Sequence, residues 1–239
     1  MVLTPFQKEV KDLRVSLDLG SVQLTNVTQA PLLGILIDSQ LNFNAHVLGL
    51  VKKANFQLLT LKRLSNSMDA TTKLTILKSF IRSNFTYCCH IWSFCSPTLM
   101  AKLEKIQHKG LRYVYNDYSS SYPVLLEKAG MQSVELLVQK TILVEIYKCL
   151  HKIGAEYLAN LFAFGKNSTR SQNKDLFVPR VNKTTYGLHS LRYHGTLLWA
   201  NLPQEAKTAD NLDNFKAALV NFKGIKCKCH LCKSSQPVL

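Results

Sequence analysis

The spacing of apolar residues changes character near residue 43, and that change limits the fold more than any other feature of the chain. Before it, Val15, Leu17 and Leu19 alternate, Gly20-Ser21 is a turn pair, Val22-Gln23-Leu24 follows, and Leu32-Leu33-Gly34-Ile35-Leu36-Ile37 is a continuous apolar run. Alternation with period two predicts short antiparallel strands, three in number, with the last buried on both faces. After Asn42-Phe43-Asn44 the period becomes helical: Val47, Val51, Ala54, Leu58 and Leu61 recur on one stripe, while Lys52, Lys53, Lys62 and Arg63 lie off it. Asn44 is placed to cap this helix.

Helical signals then dominate. Asp69 can cap a second helix running through Leu74, Leu77 and Ile81, and Ser96-Pro97 opens a third that carries Leu99, Leu103, Ile106 and Gly110 on one side. Gly110 on that side predicts a close approach by a neighbouring helix. The turn-rich stretch 116–123 separates these helices from a short one ending near Gly130 and a long one over 133–154, with another short helix expected at 156–162. The polar stretch 165–175 reads as a linker. Beyond it, 176–181 and 186–193 read as short strands or extended segments, followed by a helix near 196–200, a stop at Leu202-Pro203, and a last helix over 211–222. The predicted class is mainly α (α+β), in units 1–43, 44–118, 119–164, the linker 165–175, 176–223, and a Cys- and Lys-rich tail 224–239.

Charge limits the partner. Lys and Arg number 30 against 15 acidic residues, a formal +15, and a surplus of that size points to a polyanion. It is concentrated on the three helices after residue 43, where Lys52, Lys53, Lys62, Arg63, Lys73, Lys78, Arg82, Lys102, Lys105, Lys109 and Arg112 face only Asp69 and Glu104 between Asp38 and Asp117. These eleven are the candidate phosphate contacts, against the plainer reading of a solvated helix face. Tyr113, Tyr115, Tyr118 and Tyr122 are secondary candidates for stacking, although aromatic residues at such spacings more often pack between helices. A membrane is disfavoured, because no run approaches the roughly 20 apolar residues of a spanning helix and no signal peptide is visible. The sequons at Asn26, Asn84, Asn167 and Asn182 match too short a pattern to carry weight.

Seven cysteines do not resemble a disulfide framework, which favours a reducing compartment, nuclear or cytoplasmic, over secretion. Cys227, Cys229 and Cys232 have the density of a metal knuckle and are the zinc candidates, but a closed site needs a fourth ligand, and a basic tail without metal is the competing account. Cys88, Cys89 and Cys95 sit among Tyr87, Ile91, Trp92 and Phe94, where core packing explains them better than a metal does.

Several segments in order resemble the LINE-type (non-LTR) retrotransposon reverse transcriptases, of the jockey-like and chicken-repeat clades. They are Leu33-Gly34-Ile35-Leu36-Ile37-Asp38, Phe43-Asn44-Ala45-His46, Lys52-Lys53-Ala54, Ser83-Asn84-Phe85-Thr86-Tyr87-Cys88 with Ile91-Trp92, Leu103-Glu104-Lys105-Ile106-Gln107, and Arg112-Tyr113-Val114-Tyr115-Asn116-Asp117-Tyr118. Further on, Thr184-Thr185-Tyr186-Gly187-Leu188-His189-Ser190-Leu191-Arg192-Tyr193 and Leu198-Trp199-Ala200-Asn201-Leu202-Pro203 are similar to the distal region, with Ala200 interposed in a Trp-Asn pair. The resemblance implies that 1–43 is the end of the palm with a primer-grip-like hairpin, 44–118 a thumb, 119–164 its helical extension and 176–223 a distal unit. The implied partners are RNA or an RNA–DNA hybrid and the palm and fingers of the parent polymerase.

Two-metal nucleotidyl transfer needs carboxylates converging on paired Mg²⁺ ions, which in that family include an aromatic-x-Asp-Asp turn. No Asp-Asp pair occurs in this sequence. Asp38 stands alone at the end of a strand, where closing a turn explains it better than shaping a primer grip. No phosphate loop and no nucleophile–base spacing is present. The sequence therefore predicts no catalysis and sequence-independent binding of RNA or hybrid through the basic helices. The alternatives are a helical protein-interaction module and a translated fragment without function.

Overall fold

The structure is a computed structural model that describes residues 1, 17–24, 26–158, 160–165, 175–181 and 185–226. The expected strand residue Val15, most of the linker 165–175, the sequons at Asn167 and Asn182, and Cys227, Cys229 and Cys232 lie outside the described residues.

Two antiparallel hairpins come first. Strands β1 (Leu17–Leu19) and β2 (Val22–Leu24) pair with Leu19 opposite Val22, and β3 (Gln29–Leu32) and β4 (Ile35–Asp38) pair with Leu32 opposite Ile35. The apolar run expected to form one buried strand is thus two strands. Leu33 (φ 47) and Gly34 (φ 83) both adopt positive φ, the requirement of a two-residue turn whose twist matches the hairpin. Leu33 is 84% exposed, so an apolar side chain at a turn position disguised the break. Its left-handed backbone costs roughly 1–2 kcal/mol, and the Tyr87 hydroxyl offsets part of that by donating to the Leu33 carbonyl at 2.7 Å.

Asp38 closes β4 and organises the loop after it. Its buried carboxylate accepts from the backbone N–H groups of Gln40 (3.0 Å), Asn42 (3.2 Å) and Phe43 (2.7 Å). Helix α1 (Asn44–Leu64) starts directly after this loop. Asn44 is its first residue and not its cap: its N–H is taken by Asn42 Oδ1 at 3.0 Å. The cap is displaced because Phe43 (φ 55) turns the chain into the helix and its carbonyl already accepts from Val47.

Asp69 does cap α2 (Ala70–Ile76), accepting from the N–H groups of Thr71 and Thr72. The helix continues as a π turn over Leu77–Ile81 and a 3₁₀ turn over Arg82–Phe85. Lys73, Leu77, Ile81 and Phe85 are all buried, one every four residues. A regular α-helix drifts by about 40° at each four-residue step, and the wider i→i+5 turn offsets that drift so that the stripe stays against the core. After the left-handed Cys88 come a short helix α3 (Cys89–Trp92), α4 (Pro97–Tyr115), α5 (Tyr122–Lys128) and α6 (Val134–Leu150).

Helices α1, α2, the π turn and α4 pack on one another. Gly110 sits where they meet: a Cβ there would lie 2.4 Å from Leu77 Cδ1 and 3.2 Å from Leu58 Cδ2, so any larger residue would force Leu77 to move. Helix α6 contacts α3 and α4 on one side and the distal helices on the other. Ser133 caps it, accepting from Leu136 N–H. It ends at Leu150, short of the expected 154, and only a 3₁₀ turn at Glu156–Leu158 occupies the place of the next expected helix.

In place of the distal strands, the described residues contain a single bridge, Phe164 with Leu176, and helices α7 (Thr185–Leu188) and α8 (Leu191–Ala200). The stretch 186–193 reads as extended because it holds the start of α8 and its cap: Ser190 accepts from Tyr193 N–H, and the buried residues Thr196, Leu198 and Trp199 come only later. A four-residue helix α9 (Gln204–Lys207) follows Pro203, and Asn211 caps α10 (Leu212–Ala218). Buried Lys207 ties the bridge to this unit, its ammonium donating to Asp175 (2.6 Å) and to the Ala200 carbonyl (3.1 Å). Phe215 stacks on Tyr147 of α6 at 4.4 Å and faces Trp199 at 5.9 Å. One cluster of buried residues runs from Ile35 to Phe222.

Candidate nucleic-acid interface

Helix α4 carries the most regular basic array. Leu99, Leu103, Ile106, Gln107, Gly110, Leu111 and Val114 turn inward. Lys102, Lys105 and Lys109 are exposed, and at 3.6 residues per turn they and Arg112 fall within about 80° of one another over about 15 Å of helix. Arg112 itself is half-buried, with Nε enclosed and lacking a hydrogen-bond partner among the described residues. Among those residues the ion pairs are Lys148–Glu145, Lys207–Asp175 and Lys216–Asp213, none of which touches this stripe.

Helix α1 supplies Lys52, Lys53, Lys62 and Arg63, all exposed. The Lys62 ammonium lies over the Tyr113 ring, 5.6 Å from its centroid, so the end of α1 meets the end of α4 and the stripe extends through Lys62. Lys53 lies about 180° from Lys62 around α1. It belongs to the opposite flank, where Asn84 Nδ2 donates to Gln57 Oε1 at 2.9 Å. The basic residues of α1 are thus shared between two flanks.

Two of the eleven candidates turn inward in the structure. Lys73 is only 4% exposed, because the four-residue spacing stabilised by the π turn places it in the stripe with Leu77 and Ile81 and leaves Leu74 beside it. Arg82 turns inward: its guanidinium donates to the Gln132 carbonyl at 3.5 Å, and burial lowers its pKa against the opposing effect of Tyr122 and Glu104. Lys78, also on the π turn, is exposed.

Glu104, one of two acidic residues in this region, is engaged. It accepts from the Tyr122 hydroxyl and from Glu135 N–H at 2.9 Å, and Gln107 Nε2 donates to Tyr122 at 2.9 Å and to the Gln132 carbonyl at 2.8 Å. Burial and the neighbouring Glu104 charge push the Tyr122 hydroxyl far above its ordinary range. The tyrosines are mostly structural. Tyr115 donates to the Lys128 carbonyl and has the Lys128 ammonium over its ring, and Tyr113 lies under Lys62; only Tyr118 of the four is exposed.

The cysteines near α3 pack in the core. Cys89 and Cys95 are buried, and burial pushes both thiols up to about 12. No group of three His, Cys, Asp or Glu side chains suited to a metal ion occurs among the described residues, and no helix among them is long and apolar enough to cross a membrane. Sequence pattern did not single out the aromatic side chains beside the basic residues: Phe56 is 72% exposed and Phe80 is 64% exposed. Their signal was present, since Phe56 lies off the apolar stripe of α1.

No family model matches the chain, and no solved structure matches it. Over 90 residues it is 30% identical to a probable RNA-directed DNA polymerase from transposon X-element of Drosophila melanogaster, a match covering 36% of this chain and 10% of that protein. The matched segment is thus a small part of a much longer polypeptide, and its similarity supports a reverse-transcriptase-like origin for this chain.

Proposed function

We propose that this chain holds RNA or an RNA–DNA hybrid by its sugar–phosphate backbone, independent of sequence, and does not itself polymerise. The observation that carries the reading is the exposed stripe Lys102, Lys105 and Lys109 on α4, prolonged toward α1, in a region where Asp69 is occupied as a helix cap and Glu104 is bound to Tyr122 and Glu135. Lysines so placed neutralise phosphates and release counterions without reading base edges. The similarity to a transposon polymerase favours a nucleic acid over other polyanions. In this reading the chain is the thumb-side, carboxy-terminal part of a LINE-type reverse transcriptase, working inside the cell beside the palm and fingers of its parent. Catalysis is left to that remainder, since the sequence offers no paired aspartates.

Salt-dependent binding tests it. Titrating the chain against a labelled RNA–DNA hybrid at several salt concentrations gives a steep negative slope of log affinity on log salt, and replacing Lys102, Lys105 and Lys109 by Gln lowers that slope by about two to three. Binding indifferent to salt, or no binding at about 50 mM salt, overturns the reading. Primer extension above background overturns its non-catalytic half.

A further inference from the structure

Phe56 and Phe80 expose large apolar rings on two elements, α1 and the π turn, that pack side by side. A single amide joins the two elements: Asn84 Nδ2 donates to Gln57 Oε1 at 2.9 Å and to the Phe80 carbonyl at 2.7 Å, which brings the π turn alongside α1 at Gln57, and Phe56 lies about 100° further around α1, on its outward side. A scattered exposed apolar residue is ordinary, but two exposed aromatic rings on adjoining elements, one of them ringed by cations, invite a ligand. The surroundings are cationic. Around α1, Lys52 and Lys53 lie one turn before Phe56 and bracket it at about 40° and 60°, and Arg63 follows two turns later at about 20°. All three are exposed, and the two acidic residues of the region are occupied elsewhere, Asp69 with Thr71 and Thr72 and Glu104 with Tyr122.

Aromatic faces set among cations suit a ligand that is itself a chain of flat rings joined by anions. A duplex hides its base faces within its own stack, whereas an unpaired strand offers one with every nucleotide. We propose that the outward face of α1 and the adjoining π turn form a stacking platform for single-stranded nucleic acid, with bases on Phe56 and Phe80 and phosphates on Lys52, Lys53 and Arg63. It lies toward the Lys53 flank of α1, away from the Lys62 flank that meets α4. The chain then has a duplex-holding stripe on α4 and a separate single-strand path across α1 and the π turn. The inference rests on the nucleic-acid-binding reading above and adds to it the strand state of one ligand.

Fluorescence anisotropy on the full chain separates the two. The probes are a labelled RNA of about 15 nucleotides and the same strand annealed to complementary DNA. The double variant Phe56→Ala/Phe80→Ala is expected to lose about tenfold or more in affinity for the single strand, with hybrid affinity and salt slope unchanged. Phe56→Trp/Phe80→Trp keeps the stacking faces and retains single-strand affinity, which separates lost stacking from lost folding; circular dichroism checks the fold of both. Equal single-strand affinity of the alanine variant and the wild type overturns the platform, as does an equal loss on both probes. A change of oligomeric state in the alanine variant with unchanged single-strand binding overturns it too, and marks the face as a protein contact. Failure of the wild type to bind either probe removes the parent reading as well, whereas salt-sensitive hybrid binding without a single-strand effect removes the platform alone.

Discussion

At the scale of single residues, histidines wholly or partly enclosed by the fold give the chain a defined response to acid. His194 is enclosed near the Phe94 ring at 5.4 Å, its Nδ1 has no hydrogen-bond partner among the described residues, and burial, with the nearby His189, lowers its pKa from 6.5 to about 4. The folded chain therefore resists a proton that the unfolded chain accepts below pH 6.5. Stability contributed by neutral His194 is fully present above that value, falls as pH drops toward 4, and is lost below it, an effect on the order of 3 kcal/mol. Burial lowers His46, His90, His108 and His189 in the same direction. Urea unfolding at several pH values is expected to show stability declining from about pH 6.5 to 4, and His194→Gln should flatten that decline. An undiminished decline in the variant would show that His194 is not its source. None of this was legible in the sequence, because a histidine in a helix pattern looks the same whether its nitrogen meets water or a phenyl ring.

Among the elements, the π turn is the one whose geometry decides the most. It places Lys73 inside and presents Phe80 beside α1. The Ser79 side chain is exposed, and its hydroxyl donates to the Thr75 carbonyl. Deleting it converts the buried spacing from four-four-four to four-three-four, which suits a regular α-helix. The expected outcome is a cooperative fold with helical circular dichroism preserved and stability within about 2 kcal/mol of the original. Collapse of the fold would show that the extra residue is itself required. The sequence displayed the cap at Asp69, the helix starts near Ser133 and Asn211 and the close approach at Gly110, whereas of the caps read at Asn44 and Ser96 the first is a helical residue and the second makes no side-chain cap bond. The sequence concealed the turn at Leu33-Gly34, the π turn and the start of α8, where contacts from elsewhere, such as the Tyr87 hydroxyl on Leu33, choose among local alternatives.

For the whole molecule, α6 is the connecting element, because it contacts α3 and α4 on one side and α8 and α10 on the other. The two tryptophans report on the two sides: Trp92 is buried in α3 and Trp199 in α8. Variants retaining one or the other, through Trp199→Phe or Trp92→Phe, are expected to give coincident urea transitions by fluorescence, as a continuous core requires. Separate midpoints would instead divide the chain at α6. The helical class, the order and approximate positions of the main helices, and the unbalanced charge after residue 43 were determined by the sequence alone, because periodicity, capping and net charge are local or additive. Which of the basic residues reach the surface was decided only by tertiary structure. Burial depends on what packs opposite, and it took Lys73 and Arg82 inward while leaving Lys102, Lys105 and Lys109 in a stripe and Phe56 and Phe80 exposed.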